Sequence, residues 1–175
     1  PVSQDARSCG TCASLCGIEK ALDECDPGAL GLAVSRHLMI HAYIASLSGI
    51  PVIYSGDELA QLNDNRYTDD PVKAVDSRFI HRGKLDWARA EKRLDRETVP
   101  GLVFQALQKL IRLRAENPVF NAGARERTLD SGDKAVLAFR REGGGQTLTA
   151  VYNFSEFPKH VQPVQGGRCR DLLTG

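Results

Sequence analysis

The sequence predicts an α/β segment of the (β/α)8 barrel type, followed by an antiparallel β domain. Three observations carry this. A helical pattern from residue 27 to about Ser48 stops at Gly49 and leads into the short apolar run Val52–Tyr54, which ends at once in Gly56-Asp57-Glu58. That is the layout of a buried strand delivering polar groups to its C-terminal end, where barrel enzymes keep their active sites. A second amphipathic helical pattern follows at Val103, Leu107, Leu110, Ile111 and Arg114. From Arg125 onward the pattern changes to short strands. At 175 residues the chain is too short for a barrel with anything attached, so a whole barrel is not expected.

The elements follow in order. Residues 9–22 read as one helix, with Cys9, Cys12, Cys16, Leu15, Ile18 and Leu22 near one face. Asp26-Pro27-Gly28 breaks it and starts the next, with Asp26 as N-cap and Pro27 in the first turn. Leu30, Val34, Leu38, Ala42 and Ala45 recur there at helical spacing, until Gly49 ends the helix. Val52–Tyr54 is the strand. Residues 59–100, rich in Asp, Asn and Arg, form a long loop, and a loop of this length is more often functional than accidental. The next helix ends at Asn117-Pro118, because the residue before Pro disfavours helix. Strands are expected at 125–129, 135–141, 147–154, 159–164 and 168–172, with Ser131-Gly132 and Gly143-Gly144-Gly145 as hairpin turns. Helices and one strand first, then an antiparallel sheet, implies two domains with a boundary near 117–124.

Composition excludes several classes. Lys plus Arg number 23 against 22 Asp plus Glu, so nucleic acid and anionic membranes are not expected partners. No apolar run reaches the length of a membrane span. No basic segment leads into an apolar one at the start, so no signal peptide is expected, and the five Cys read as reduced and cytoplasmic. Both ends look cut from a longer protein.

Cys9, Cys12 and Cys16, with Cys25 just beyond, invite a metal reading. At helical spacing, however, a Cys acts as a small apolar residue, and no metal is assigned. His37 and His41 lie four apart, but Leu38 stands where an H-E-x-x-H motif needs Glu, so packing is again preferred. Asp57 and Glu58 are adjacent and point apart, so they cannot face one another as an acid/base pair. Arg78, in the long loop, offers a planar fork for a carboxylate at the bottom of a sugar pocket. Tyr67, Phe79 and Trp87 suit either stacking on a sugar ring or anchoring the loop.

Several segments together resemble a known family. Gly49-Ile50-Pro51-Val52-Ile53-Tyr54-Ser55-Gly56-Asp57-Glu58 looks like the eighth barrel strand of the α-amylase family of glycoside hydrolases. Asp5-Ala6-Arg7-Ser8-Cys9-Gly10-Thr11-Cys12-Ala13-Ser14-Leu15, Leu62-Asn63-Asp64, Asp76-Ser77-Arg78-Phe79-Ile80-His81-Arg82 and Asn153-Phe154-Ser155-Glu156-Phe157-Pro158 narrow this to the amylosucrases. Cys9, Cys12 and Cys16 replace other small or apolar residues of that pattern, which supports the packing reading. Phe79 replaces a Trp.

The resemblance implies helix 7, strand 8 and helix 8 of the barrel, then part of a C-terminal β-sandwich. Residues 1–25 would end the insert after strand 7, 26–118 would close the barrel, and 119–175 would begin the sandwich. It implies transfer of glucose from sucrose to an α-1,4-glucan by a retaining double displacement, releasing fructose, with neither metal nor organic cofactor. The nucleophile Asp, the acid/base Glu and a third Asp lie upstream in that family. No catalytic residue is therefore assigned, and the chain alone is expected to be inactive. Two substrate-binding residues carry over. Arg78 matches the Arg that pairs with an Asp at the floor of the glucose pocket, and Arg7 matches one that contacts acceptor sugars. The rival expectations are a sucrose hydrolase or other α-glucosidase of the same family, and a non-catalytic carbohydrate-binding or structural module.

Overall fold

The computed structural model describes residues 8–161 and 169–173. The chain divides into two compact units. One holds the residues up to His41 together with Ile53–Gln108; the other holds Ala42–Val52 and the residues from Lys109 onward.

In the first unit, helix α1 (Cys12–Leu15) is capped by Thr11, whose side chain accepts from the Ser14 N–H. Helix α2 (Ile18–Asp23) follows after Gly17 at φ +99°. The expected single helix over 9–22 is thus two short ones, because a residue in the left-handed region cannot continue a right-handed helix. Helix α3 (Pro27–Ser46) starts as its sequence requires: Asp26 Oδ1 accepts from the Ala29 N–H at 2.9 Å, with Pro27 in the first turn.

The long loop is ordered by three 3-10 turns, Asp57–Leu59, Asn65–Asp69 and Ser77–His81. Asp64 and Asp76 cap the second and third by accepting from the N–H two residues on. Helices α4 (Trp87–Glu91) and α5 (Val99–Glu116), with further 3-10 turns at Lys92–Leu94 and Pro118–Phe120, complete the helical elements of the described residues. Ala13, Ile18, Ala21, Ala33, Val34, Leu59, Val103 and Leu107 are buried and make this unit's core.

The second unit carries an antiparallel sheet of β1 (Arg125–Leu129), β2 (Val136–Gly143) and β3 (Gln146–Asn153), in that order. Gly144 and Gly145 both have positive φ, as a two-residue hairpin turn of the mirror-image type needs. Phe139 and Ala150 face each other across β2 and β3 and are buried. Tyr152 packs edge-on against Tyr43, with ring centroids 5.5 Å apart.

Two expectations are corrected. Val52–Tyr54 forms no strand, and Ile50, Val52 and Tyr54 are 89%, 76% and 51% exposed. A strand needs ladder partners, and no described segment pairs with this one. Residues 159–161 and 169–172 are not strand either; the rest of the two expected final strands lies outside the described residues. Helices with a three-stranded antiparallel sheet are compatible with the end of a larger glycoside-hydrolase-like protein. The eight-stranded barrel itself is not present in these residues.

Candidate functional site

The most concentrated chemistry lies in the first unit, where α1, α3 and the turn at Asp57 converge. The Cys12 and Cys16 sulfurs are 4.0 Å apart. Spacing of four on a helical path puts them on one face, and Cys16 is buried. His37 and His41, one turn apart on α3, lie with ring centroids 4.4 Å apart and ring planes tilted by 38°, and both are buried. His37 Nε2 donates to the Asp57 carbonyl at 3.0 Å, and His41 Nδ1 donates to the His37 carbonyl at 2.8 Å. His41 Nε2 sits 3.5 Å from Asp57 Oδ2. Glu58 turns away, its Oε2 accepting from the Gly56 N–H at 2.8 Å. Adjacent Asp57 and Glu58 thus serve different partners.

Electrostatics follow from these contacts. The shared hydrogen bond between the two thiols lowers Cys16 to about 5, helped by the neighbouring His37, and raises Cys12 in turn. Burial disfavours a charged His41, but the Asp57 carboxylate and the His37 carbonyl outweigh it and raise its pKa. The sequence reading took the Cys set and the His pair separately and as packing. Their convergence with Asp57 is what it missed. A signal was there in C-x-x-x-C followed by H-x-x-x-H, read as one set instead of two.

Beside this cluster lies a cavity of about 410 Å³, lined by Thr11, Cys12, Cys16, Tyr54, Asp57 and His81 among others. The segments at Thr11–Leu15 and Leu62–Asp64 are joined by two hydrogen bonds. Asn63 Oδ1 accepts from the Thr11 N–H at 2.9 Å, and the Asn63 N–H donates to Ser14 Oγ at 3.1 Å. The Asp64 N–H donates to the Ile80 carbonyl at 2.8 Å, tying that segment to the one carrying Arg78.

Arg78 lies on the turn Ser77–His81, half-exposed, and its guanidinium grips Asp76 with Nη2 to Oδ2 at 2.7 Å and Nε to Oδ1 at 2.8 Å. Those bonds hold the Asp76 carboxyl down at about 2. Arg66 grips Asp64 in the same two-residue pattern. Arg7, the other residue expected to bind substrate, lies outside the described residues.

No family model matches the chain. Over 142 residues the chain is 28% identical to glucosylglycerate phosphorylase of Escherichia coli (strain K12), a match that takes in 80% of this chain and 24% of that protein. The chain therefore spans about a quarter of the length of this relative. The likeness is to a carbohydrate-active enzyme and does not single out the amylosucrases. Among the described residues, no helix is long and apolar enough to cross a membrane.

Proposed function

We propose that this chain is the C-terminal part of an enzyme that transfers a glucosyl group. The observation that supports this best is the likeness over 80% of the chain to an enzyme of glucoside chemistry. Within that reading, sucrose is the donor and an α-1,4-glucan the acceptor, and fructose is released. This finer assignment rests on the ordered amylosucrase-like segments, of which Leu62–Asp64 and Asp76–Arg82 lie hydrogen-bonded to each other. Retention of configuration requires a nucleophilic carboxylate and an acid/base carboxyl about 5 Å apart, and both belong to other parts of such an enzyme. This chain contributes Arg78, whose fork would leave Asp76 for a carboxylate at the base of the glucose pocket, and Arg7 for the acceptor.

The named relative is a phosphorylase, which favours a second reading in which inorganic phosphate takes the glucosyl group. One experiment separates the readings. The full-length protein is incubated with sucrose alone, with added glucan and with added phosphate. Fructose with lengthened glucan supports the first reading. Glucose 1-phosphate supports the second. Free glucose without glucan makes the protein a hydrolase, and no fructose under any condition removes the sucrose reading.

A further inference from the structure

We propose that Cys12, Cys16 and His37, with His41 and Asp57 beside them, form a structural binding site for a thiophilic divalent cation of the zinc type. The order along the chain, C-x-x-x-C then H-x-x-x-H, falls within the spacings of structural zinc sites. Order alone is weak, and three features of the geometry carry the inference.

The first is ligand spacing. A tetrahedral ion with metal–sulfur bonds of about 2.3 Å sets its two sulfurs about 3.8 Å apart. The Cys12 and Cys16 sulfurs stand 4.0 Å apart. With a ring nitrogen of His37 they make a triad whose donor atoms all lie within 4.8 Å of one another. Cys12, His41 and Asp57 make a second triad of the same tightness, and Cys12 joins the two.

The second is the state of the imidazoles. A carbonyl can only accept, so His37 carries its proton on Nε2, which donates to the Asp57 carbonyl. That leaves the His37 Nδ1 lone pair free. The ring is fully buried, and Nδ1 has no hydrogen-bond partner among the described residues. An orphaned nitrogen at such depth is costly unless something takes its lone pair. His41 differs: its Nδ1 donates to the His37 carbonyl, and its Nε2 already faces Asp57 Oδ2 at 3.5 Å. A histidine that ligates metal typically donates its other N–H to a carbonyl or carboxylate, which fixes the tautomer. His37 is set that way.

The third is charge. Two thiolates neutralise a divalent cation, and the neutral imidazole of His37 adds no charge; the fourth position falls to a residue of the second triad or to water. Binding releases the two thiol protons to solvent. Cys16 and His37 are buried and Cys12 is half-buried, so the ion would sit inside the unit and hold α1 against α3. This inference is independent of the glucosyl-transfer reading.

The test uses the full-length protein, purified under reducing conditions and loaded with zinc or with cobalt(II). One zinc per chain is expected, and cobalt(II) should give thiolate-to-metal charge-transfer absorption with intense tetrahedral d–d bands. Cys12→Ser, Cys16→Ser and His37→Gln should each weaken zinc binding by more than about tenfold. Cys25→Ser and Cys169→Ser, at exposed cysteines outside the cluster, should leave it unchanged. The cobalt spectrum of the unsubstituted protein decides the matter even where a variant fails to fold. Substoichiometric metal, cobalt bands without thiolate character, or equal binding after Cys12→Ser would overturn the site.

Discussion

Arg141 on β2 donates from Nη1 to the carbonyl of Ser46 at 2.8 Å, although the two residues lie 95 positions apart. The guanidinium is fully buried. Its Nη2 donates to the Asn121 carbonyl at 3.0 Å, and its Nε stands 4.0 Å from Glu126 Oε2, its cross-strand partner. A buried charge needs pairing and hydrogen bonds; here the fork bonds two segments of the second unit, while Nε, without a hydrogen-bond partner among the described residues, has only the Glu126 charge beside it. Arg141→Met should therefore cost on the order of 3 kcal/mol, because it leaves two carbonyls without a donor. Arg141→Lys should recover little, since an ammonium cannot reach both carbonyls at once. Urea denaturation of the two variants checks this; an unchanged midpoint for Arg141→Met would remove the residue from the core.

Two helical glycines should respond to alanine with opposite signs. A Cβ at Gly101 on α5 would lie 1.8 Å from the carbonyl oxygen of Asp95, which is backbone and cannot swing aside. A Cβ at Gly31 on α3 would meet nothing within 4 Å. Gly31→Ala should gain roughly 0.5–1 kcal/mol from helix propensity. Gly101→Ala should destabilise, by an overpacking cost of about 1–3 kcal/mol or more. Thermal melts of the two variants, run side by side, suffice. Equal shifts of the same sign would contradict the packing at Gly101.

These cases also mark how far the sequence could be read. The cap at Asp26-Pro27, the end of α5 at Asn117-Pro118 and the glycine turn between β2 and β3 are decided within a few residues, and each was legible. Val52–Tyr54 was not, because a strand is a property of two segments, and its apolar run carries no information about the missing partner. Gly17 hid a helix break inside a pattern of correct periodicity. The cluster was harder still. Each Cys and His pair repeats every four residues, which packing explains as well as ligation does. Only the fold brings the pairs together and adds Asp57 from a loop. Arg78 was legible as a loop cation, but not its grip on Asp76, which depends on the turn at Ser77–His81.

The Asp76–Arg78 pair should show in a titration. Asp76 is lowered from 3.8 to about 2, chiefly by its hydrogen bonds from the Arg78 side chain and then the Arg78 N–H. A carboxyl whose folded pKa is depressed contributes stability above its unfolded pKa, and loses that contribution as pH falls through the folded value. The window therefore lies between roughly pH 4 and pH 2, and the pair is intact at neutral pH. Carboxyl carbon shifts followed by NMR should place Asp76 near 2 and, in Arg78→Ala, move it up toward 3.8. No change on removing Arg78 would mean that the side-chain contact does not govern the carboxyl.

The same arginine gives the sharpest kinetic prediction on the proposed reading. If Arg78 turns from Asp76 to a carboxylate in the glucose pocket, Arg78→Ala leaves that carboxylate unpaired and the pocket floor open. Turnover of sucrose by the full-length protein should then fall roughly a hundredfold, the scale of a misplaced reacting group. Arg78→Lys should restore only part, because a point charge cannot reproduce the two-pronged geometry. Asp76→Asn offers the contrast. It frees Arg78 from its present partner without removing the guanidinium, so its effect on turnover should be several-fold at most. Fructose release measured for the three variants distinguishes a pocket role from a local one. Wild-type rates in Arg78→Ala would confine Arg78 to ordering its own loop.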